Sequence, residues 1–480
     1  MNRRMIVYMV GQMIRLEAVL LLLPLLVSLL YREACGFAFL ITILAALAVG
    51  CTVTVVCKPH NKIVYAKEGF VIVALSWLLM SVFGALPFVI SGEIPGFIDA
   101  FFETVSGFTT TGASILTDVE ALSHGTLFWR SFTHWIGGMG VIVFIMAVVP
   151  SASDRSIHML RAEVPGPQVG KLMPRIKDTA KVLYLIYIVM TLTEVVFLLC
   201  GGMPLFESVV HAFGTAGTGG FGVKADSIAG YSPYLQWCIA IFMLLFGVNF
   251  NLYYLMLVRR FRSVLKSEEL WCYLGIVLLS VGAVTVNILP LYSGFSEALR
   301  AAFFQVSSIV TTTGYATADF NLWPVFSKAL LLCLMLIGSC AGSTAGGFKI
   351  SRVVILFKMI RGQLKRMLHP RSVSAVRFEG KTVDSATAAG ISTYLVLYIV
   401  CLLSVFLILC IDRYDIETNF SAAAACFNNI GPGLSAVGPA ANYAGYSVLS
   451  KLVLSVAMLF GRLEIYPLLF VLSPTTWAKK

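Results

Sequence analysis

Apolar positions in this chain run on for about 20 residues at a time, without the every-second-residue alternation of strands or the one-sided stripe of a soluble helix, and that pattern predicts bilayer-crossing helices. Two come first, at about 5 to 30 and 37 to 57. The run from Met5 to Leu30 exceeds a signal h-region and has no small-residue cleavage site, so it reads as a retained helix. A new rhythm then begins: a full span at about 69 to 91, a short apolar piece at 97 to 108, a polar run, and another full span at about 126 to 149. Span, half-span, span recurs at 181 to 201, 204 to 214 and 234 to 260, at 269 to 291, 295 to 309 and 324 to 360, and at 386 to 411, 416 to 428 and 446 to 472. The segments divide as 1–68 (two N-terminal helices), then four repeats at 69–180, 181–267, 268–381 and 382–480. The fold class expected is all-α: a polytopic membrane protein with four pore-loop repeats and pseudo-fourfold symmetry.

The repeats align on a glycine. "FFETVSGFTTTG", ending at Gly112, and "FFQVSSIVTTTG", ending at Gly314, share both phenylalanines, Ser106 with Ser308, three threonines and the glycine. "SVVHAFGTAGTG" ending at Gly219 and "FSAAAACFNNIG" ending at Gly431 are drifted copies.

A half-span of ten or so residues cannot cross a bilayer. The irregular backbone after it cannot face lipid, where each unpaired amide or carbonyl costs several kcal/mol. Four such loops in one chain suggest a ring lining water. Threonine and glycine suit that place. A dehydrated cation needs inward-pointing oxygens, backbone carbonyls supply them without a trapping charge, and glycine tolerates the φ/ψ values that turn successive carbonyls one way. The candidate filter is therefore Thr110, Thr111, Gly112, Thr218, Gly219, Thr312, Thr313, Gly314, Ile430 and Gly431. Short helices ending at these loops would also aim their negative C-terminal dipole ends at the axis.

Composition agrees. Of 480 residues 58% are hydrophobic and 12% charged, far from the soluble norm, and no soluble domain fits between the spans. The formal charge of +11 could suggest nucleic acid, but its distribution points elsewhere. Alternate connecting segments hold roughly 26 of the 35 Lys and Arg: Arg3, Arg4; Lys58, Lys62, Lys67; Arg155 to Lys181; Arg259 to Lys266; Lys349 to Lys381; Lys479, Lys480. That is the bias of cytoplasmic loops and places both termini inside. The opposite set collects Asp99, Glu103, Asp118, Glu120, Glu207, Asp226, Glu297, Asp319, Asp412, Asp415 and Glu417, an acidic outer face able to concentrate cations. The eleven cysteines stand singly in apolar segments and read mostly as small core residues, and neither they nor the six histidines have metal-site spacing.

"IGSCAGSTAGGFK", Ile337 to Lys349, interrupts the second span of repeat three. Interior glycines cost a helix about 1 kcal/mol each, and irregular backbone at membrane depth lines a pathway. Gly338, Gly342, Ser343, Thr344, Gly346, Gly347 and Lys349 are therefore candidates for a loop that plugs the pore beneath the filter; close helix packing at a kink is the alternative. Arg462, in "LFGRLEIYPLL", is an intramembrane charge and a functional candidate by default, unless it pairs with Glu464 or snorkels. Glu17 and Glu194 read as structural acids. "GTGGFG" at 217 to 222 satisfies G-x-G-x-x-G, but an apolar half-helix stands where the fingerprint needs a strand, and "GSTAGGFK" lacks the GKS or GKT of a P-loop. Neither marks a nucleotide site. No nucleophile, base or metal constellation suggests an enzyme.

The repeats, the two extra N-terminal helices and the loops "TTTGA", "GTGGFG", "TTTGY" and "NNIGPG" together resemble the Trk, Ktr and HKT superfamily of potassium transporters, most closely the Trk-type membrane subunit. The resemblance covers nearly the whole chain. It implies a channel-like, single-file potassium pathway with Gly112, Gly219, Gly314 and Gly431 at the filter, and an intramembrane loop that Arg462 contacts. It implies uptake across the plasma membrane (the bacterial inner membrane), with potassium as substrate, sodium and rubidium as further ions, and no cofactor. Its expected partners are membrane lipid, a second copy in a homodimer, and a cytosolic nucleotide-binding regulatory subunit of the TrkA type, with no nucleic acid. The basic stretch at 358 to 378 offers a docking surface for the regulatory subunit or for anionic lipid headgroups. A secondary transporter coupling potassium entry to protons or sodium is the rival reading.

Overall fold

The long apolar runs fold as helices because a backbone in lipid must satisfy its own hydrogen bonds. The structure, a computed structural model, describes residues 2–59, 64–140, 176–371 and 375–477. Among these, six helices are long and apolar enough to cross a membrane, seven if one bent pair counts as a single span. The N-terminal pair comprises α1 (Arg3–Leu20) running into α2 (Leu22–Leu30), then α3 (Gly36–Val56). Repeat 1 has α4 (Ala66–Ser91), the half-helix α5 (Phe97–Phe108) and α6 (His124–Gly138). Repeat 2 has α7 (Ile176–Cys200), the half-helix α8 (Leu205–Gly217), α9 (Pro233–Phe246), α10 (Phe250–Leu257) and the short α11 (Phe261–Leu265). Repeat 3 has α12 (Glu268–Ile288), the half-helix α13 (Phe295–Val310), α14 (Val325–Ile337) and α15 (Ile350–Leu368). Repeat 4 has α16 (Ser385–Leu409), the half-helix α17 (Ile416–Phe427), α18 (Val448–Arg462), α19 (Tyr466–Leu472) and α20 (Pro474–Trp477). The described strands, β1 (Arg377–Phe378) and β2 (Lys381–Thr382), form one antiparallel hairpin pairing Arg377 with Thr382.

The expected second spans are corrected in two repeats. In repeat 2 the span bends by 88° between α9 and α10, and in repeat 4 it breaks after Arg462, where Glu464 and Ile465 take positive φ. Only the interruption in repeat 3 was legible from its glycines. Several expected segments lie outside the described residues: 141 to 149 of the second span of repeat 1, most of the basic stretch Arg155 to Lys181, Lys62, 372 to 374, and Lys479 with Lys480.

Packing closes a circle. α6 packs on the half-helix α8, α9 on α13, α14 on α17, and α18 on α5. Each repeat's second span thus supports the next repeat's half-helix, and the fourth supports the first. The outward faces remain apolar: Leu279 is 77% exposed and Val286 74%, as lipid contact requires rather than water. The cysteines depart from the expectation of core positions. Cys35, Cys238, Cys340 and Cys426 are buried, whereas Cys51, Cys200, Cys333 and Cys410 are exposed.

The acidic outer set also acquires a local reason. Asp99, Glu207, Glu297 and Glu417 each occupy the first turn of a half-helix. An acid there is stabilised by the helix dipole by about 0.3–1 kcal/mol. Glu103 is not on the surface at all. It is buried in an ion pair with Arg130, Nε to Oε1 2.6 Å.

Candidate functional site: a ring of four loops

All four half-helices end in the same way. After α5, the N–H of Thr110 donates to the carbonyl of Gly107 and that of Thr111 to the carbonyl of Ser106. The pair repeats as Thr218 to Thr215 with Gly219 to Gly214, as Thr312 to Ile309 with Thr313 to Ser308, and as Asn429 to Cys426 with Ile430 to Ala425. This is the Schellman cap, whose left-handed residue is usually glycine. Here it is Thr110, Thr218, Thr312 and Asn429, with φ of 55°, 56°, 56° and 57°. Asparagine tolerates that region, but a β-branched threonine costs about 1–2 kcal/mol there. Three threonines held so are a strained feature that the surrounding packing imposes.

The caps correct the sequence alignment. Two residues beyond each left-handed position stands a glycine of positive φ: Gly112 (80°), Gly220 (80°), Gly314 (84°) and Gly431 (93°). The counterpart of Gly112 is therefore Gly220, and Gly219 takes the place of Thr111, Thr313 and Ile430. A double glycine can be aligned either way. The aromatic residue after it, Phe221 beside Tyr315 of the third loop, is the signal that would have chosen correctly.

These glycines bring the loops together. A Cβ on Gly112 would overlap the carbonyl oxygen of Gly219, one on Gly220 that of Thr313, and one on Gly314 that of Ile430. On Gly431 it would stand 2.7 Å from the carbonyl oxygen of Thr111. Loop 1 touches loop 2, loop 2 touches loop 3, loop 3 touches loop 4, and loop 4 returns to loop 1. Thr110, Thr111, Thr218, Thr312, Thr313, Asn429 and Ile430 are wholly buried. The four positive-φ glycines line a common cavity of about 150 Å³ on one side of the ring. Hydroxyls brace the loops from behind: Tyr315 donates to the carbonyl of Phe221 at 3.1 Å, and Tyr443 to that of Gly431 at 2.7 Å.

The ring and the apolar spans decide the kinship. Residues 35–477 match the TrkH family, described as cation transport protein. The chain belongs to this family. Relatives include the Trk system potassium uptake proteins TrkH of Salmonella typhimurium, 38% identical over 99% of this chain and 100% of that one, and of Escherichia coli K12, 37% identical with the same coverage. The crystal structure of the potassium transporter TrkH from Vibrio parahaemolyticus superposes with a TM-score of 0.88 at 34% identity, covering 100% of both chains. A TrkH-family chain is a multi-pass membrane protein, and its relatives are named for transport, not for catalysis.

A segment outside the cavity's lining also meets the ring. Residues 338 to 349, between α14 and α15, form an irregular segment in which Gly338, Gly342, Gly347 and Lys349 all take positive φ. The N–H of Gly346 donates to Thr312 Oγ1 at 2.7 Å, and a Cβ on Gly346 would stand 2.5 Å from the carbonyl oxygen of Asn428. The segment is held from the other side as well. The N–H of Phe250 donates to the carbonyl of Gly342 at 3.0 Å, and Glu269 Oε1 accepts from the N–H of Ala341 at 2.7 Å and of Ser351 at 3.2 Å. Ser343 donates to the carbonyl of Cys340 and Thr344 to that of Phe246. Lys349 is buried, its ammonium donating to the carbonyl of Ala345.

Arg462 ties this segment to the ring. Its Nη1 reaches the carbonyl of Thr344 at 2.7 Å and Thr110 Oγ1 at 3.3 Å, while Nη2 donates to the carbonyls of Gly137 and Gly138 at the end of α6. Glu464 holds Arg352 at 2.6 Å. Glu17 and Glu194 are wholly buried. Sequence reasoning missed Gly220, which it passed over for Gly219 in the same repeated loop, and Arg130, Glu269 and His134, which stand outside the repeated loops.

Proposed function

We propose that this chain admits potassium across the plasma membrane through the ring, in single file, over a filter of backbone carbonyls. The observation that carries the reading is the cyclic closure of four identically capped loops, each glycine packed on its neighbour's carbonyl. Positive φ at Thr110 and Gly112 with negative φ at Thr111 between them, repeated in each loop, is the alternation that directs successive carbonyls to one side, as a cation stripped of water needs. The half-helices add their negative ends. Relatives named as potassium uptake proteins support potassium as the ion.

The filter residues are then Thr110, Thr111, Gly112, Thr218, Gly219, Gly220, Thr312, Thr313, Gly314, Ile430 and Gly431, with Asn429 completing the left-handed layer. The segment 338–349 is the gate, shut in this conformation by Gly346 on Thr312 and by the Arg462 latch. Both termini face the cytoplasm of a bacterial inner membrane. The protein works as a homodimer under a nucleotide-binding regulatory subunit of the TrkA type, which docks on the basic stretch at 358 to 378, whose first part is the end of α15. No catalytic step or cofactor enters this reading.

Flux in liposomes, followed with potassium, sodium and a proton-sensitive dye, tests it. Reversal potentials should follow the potassium gradient alone. A stoichiometric proton or sodium movement would replace the channel-like reading with coupled transport, which broken helices also build.

A further inference from the structure

In three repeats the residue just before the positive-φ glycine carries a side chain that packs behind the ring. Thr111 Oγ1 bonds Thr109 Oγ1 at 2.8 Å, Thr313 Oγ1 bonds Thr311 Oγ1 at 2.8 Å, and Ile430 is wholly buried. Repeat 2 has Gly219 there, and nothing of its own to fill the space. The space is filled from another helix. A Cβ built on Gly219 would fall inside the imidazole of His134, which α6 of repeat 1 delivers.

His134 is wholly buried, and neither of its ring nitrogens has a hydrogen-bond partner among the described residues. A buried imidazole without partners is costly, so hydrogen bonding does not explain its place. Its shape does. The ring meets Phe221 edge-on at 4.2 Å between centroids, and the backbone carbonyl of His134 stands where a Cβ on Gly217 would fall. The Arg130 guanidinium lies 3.6 Å from the centroid of the same Phe221 ring, while its Nη1 donates to the carbonyl of Gly222 at 3.2 Å. Loop 2 is thus held from 217 to 222 by the backbone and side chains of α6 together with Tyr315, where loops 1 and 3 carry their own threonines.

We propose that His134 is a positioning residue of the ion filter: its imidazole replaces the side chain that residue 219 lacks and fixes the second loop's carbonyls at the ring. The inference rests on the carbonyl-filter reading and adds to it the source of selectivity in the second repeat. Residues 134 and 219 share one volume, so they should be exchangeable only as a pair.

The full chain, purified and placed in liposomes, gives potassium and sodium flux for His134→Ala, Gly219→Thr, the double variant His134→Gly/Gly219→Thr, and Gly220→Ala. His134→Ala and Gly219→Thr should each lower the potassium-to-sodium ratio at least tenfold, the first by leaving loop 2 unbacked and the second by displacing it. The double variant, with a threonine as in loops 1 and 3, should return to within about threefold of the parent. A brace needed only for folding would lower total flux and leave the ratio alone. If Gly220→Ala degrades the ratio but His134→Ala does not, this inference fails and the filter reading stands. If Gly220→Ala leaves the ratio intact, the filter reading itself fails. Should His134→Ala not fold, the double variant decides: selective flux supports the exchange, and unselective flux or no folded protein overturns it.

Discussion

The ring and the layer beneath it are built on opposite plans. Every part of the ring occurs four times: a half-helix with an acid in its first turn, a Schellman cap on a left-handed residue, a positive-φ glycine and a neighbour's carbonyl against it. Beneath it, a segment from repeat 3 and one arginine from repeat 4 make the contacts, and in the proposed reading they close the path. Repetition suits a task that needs several equal oxygens around one ion. A latch needs only two states and one contact that differs between them. Selectivity should therefore respond to damage in any loop, and closure to damage at Arg462, the segment it holds and the Thr312 hydroxyl that this segment meets.

The largest effect is expected at the ring glycines, and it should be graded. Alanine at any of the four incurs the left-handed penalty of about 1–2 kcal/mol. At Gly112, Gly220 and Gly314 the new methyl would stand 2.0, 2.1 and 2.0 Å from a neighbouring carbonyl oxygen, a deeper overlap than the 2.7 Å at Gly431. The first three substitutions should abolish potassium preference over sodium in liposome flux, and Gly431→Ala should reduce it less. Gly112→Ser should admit sodium for the same reason as Gly112→Ala. Equal damage at all four would mean that contact between loops is not what sets the ring.

The opposite signature is expected at the latch. Arg462→Ala removes charge-assisted hydrogen bonds, each worth about 1.5–3 kcal/mol, to Thr344, Gly137, Gly138 and Thr110. Resting flux should rise at least tenfold with the potassium-to-sodium ratio unchanged. A changed ratio without extra flux would move Arg462 into the permeation path. Thr312→Val sits between the two plans. It keeps the shape of a ring residue but deletes the acceptor of the Gly346 N–H. One neutral hydrogen bond is worth about 1 kcal/mol, so resting flux should rise about fivefold.

What the sequence made legible follows the same division. Spans, half-spans and "TTTG" loops announce themselves because lipid forbids unpaired backbone and because repetition exposes register. The ring's contacts were less visible. Gly219 and Gly220 are indistinguishable by identity, and the positive φ of Thr218 and Gly220 with the hydrogen bond from Gly219 N–H to the carbonyl of Gly214 assigns them. The breaks in the second spans of repeats 2 and 4 are marked only by single residues, Asn249 as the N-cap of α10 and Pro467 at the start of α19. Phe246, Gly247 and Val248 read as ordinary span residues until Gly247 is seen accepting from Cys340 N–H and Phe250 N–H donating to Gly342. Buried side chains that act across repeats, such as His134 and Arg130, carry no periodic signal, since their partners are remote in sequence.

The smallest effect should come from a site outside both layers, and it tests whether they are insulated from the scaffold. Glu33, between α2 and α3, meets the start of α6, its Oε1 accepting from the N–H of His124 at 2.8 Å and its Oε2 from that of Gly125 at 3.0 Å, with His124 Nδ1 also at 2.8 Å. Burial pushes this carboxyl up, but the two backbone donors and the imidazole outweigh it and hold the group below its usual range. A depressed folded value means that the contribution to stability is complete above the unfolded carboxylate pKa of about 4.3 and is lost as pH falls through the folded one. Glu33→Gln should therefore lower the melting temperature at neutral pH, by the equivalent of about 0.3–1 kcal/mol for an acid at a helix start, and flatten the acid limb of the stability profile below pH about 4.3. Potassium-to-sodium ratio and resting flux should both stay at parental values. If Glu33→Gln instead moves the ratio as a ring glycine does, the entry of α6 is coupled through His134 to the second loop, and the ring does not stand apart from the scaffold that carries it.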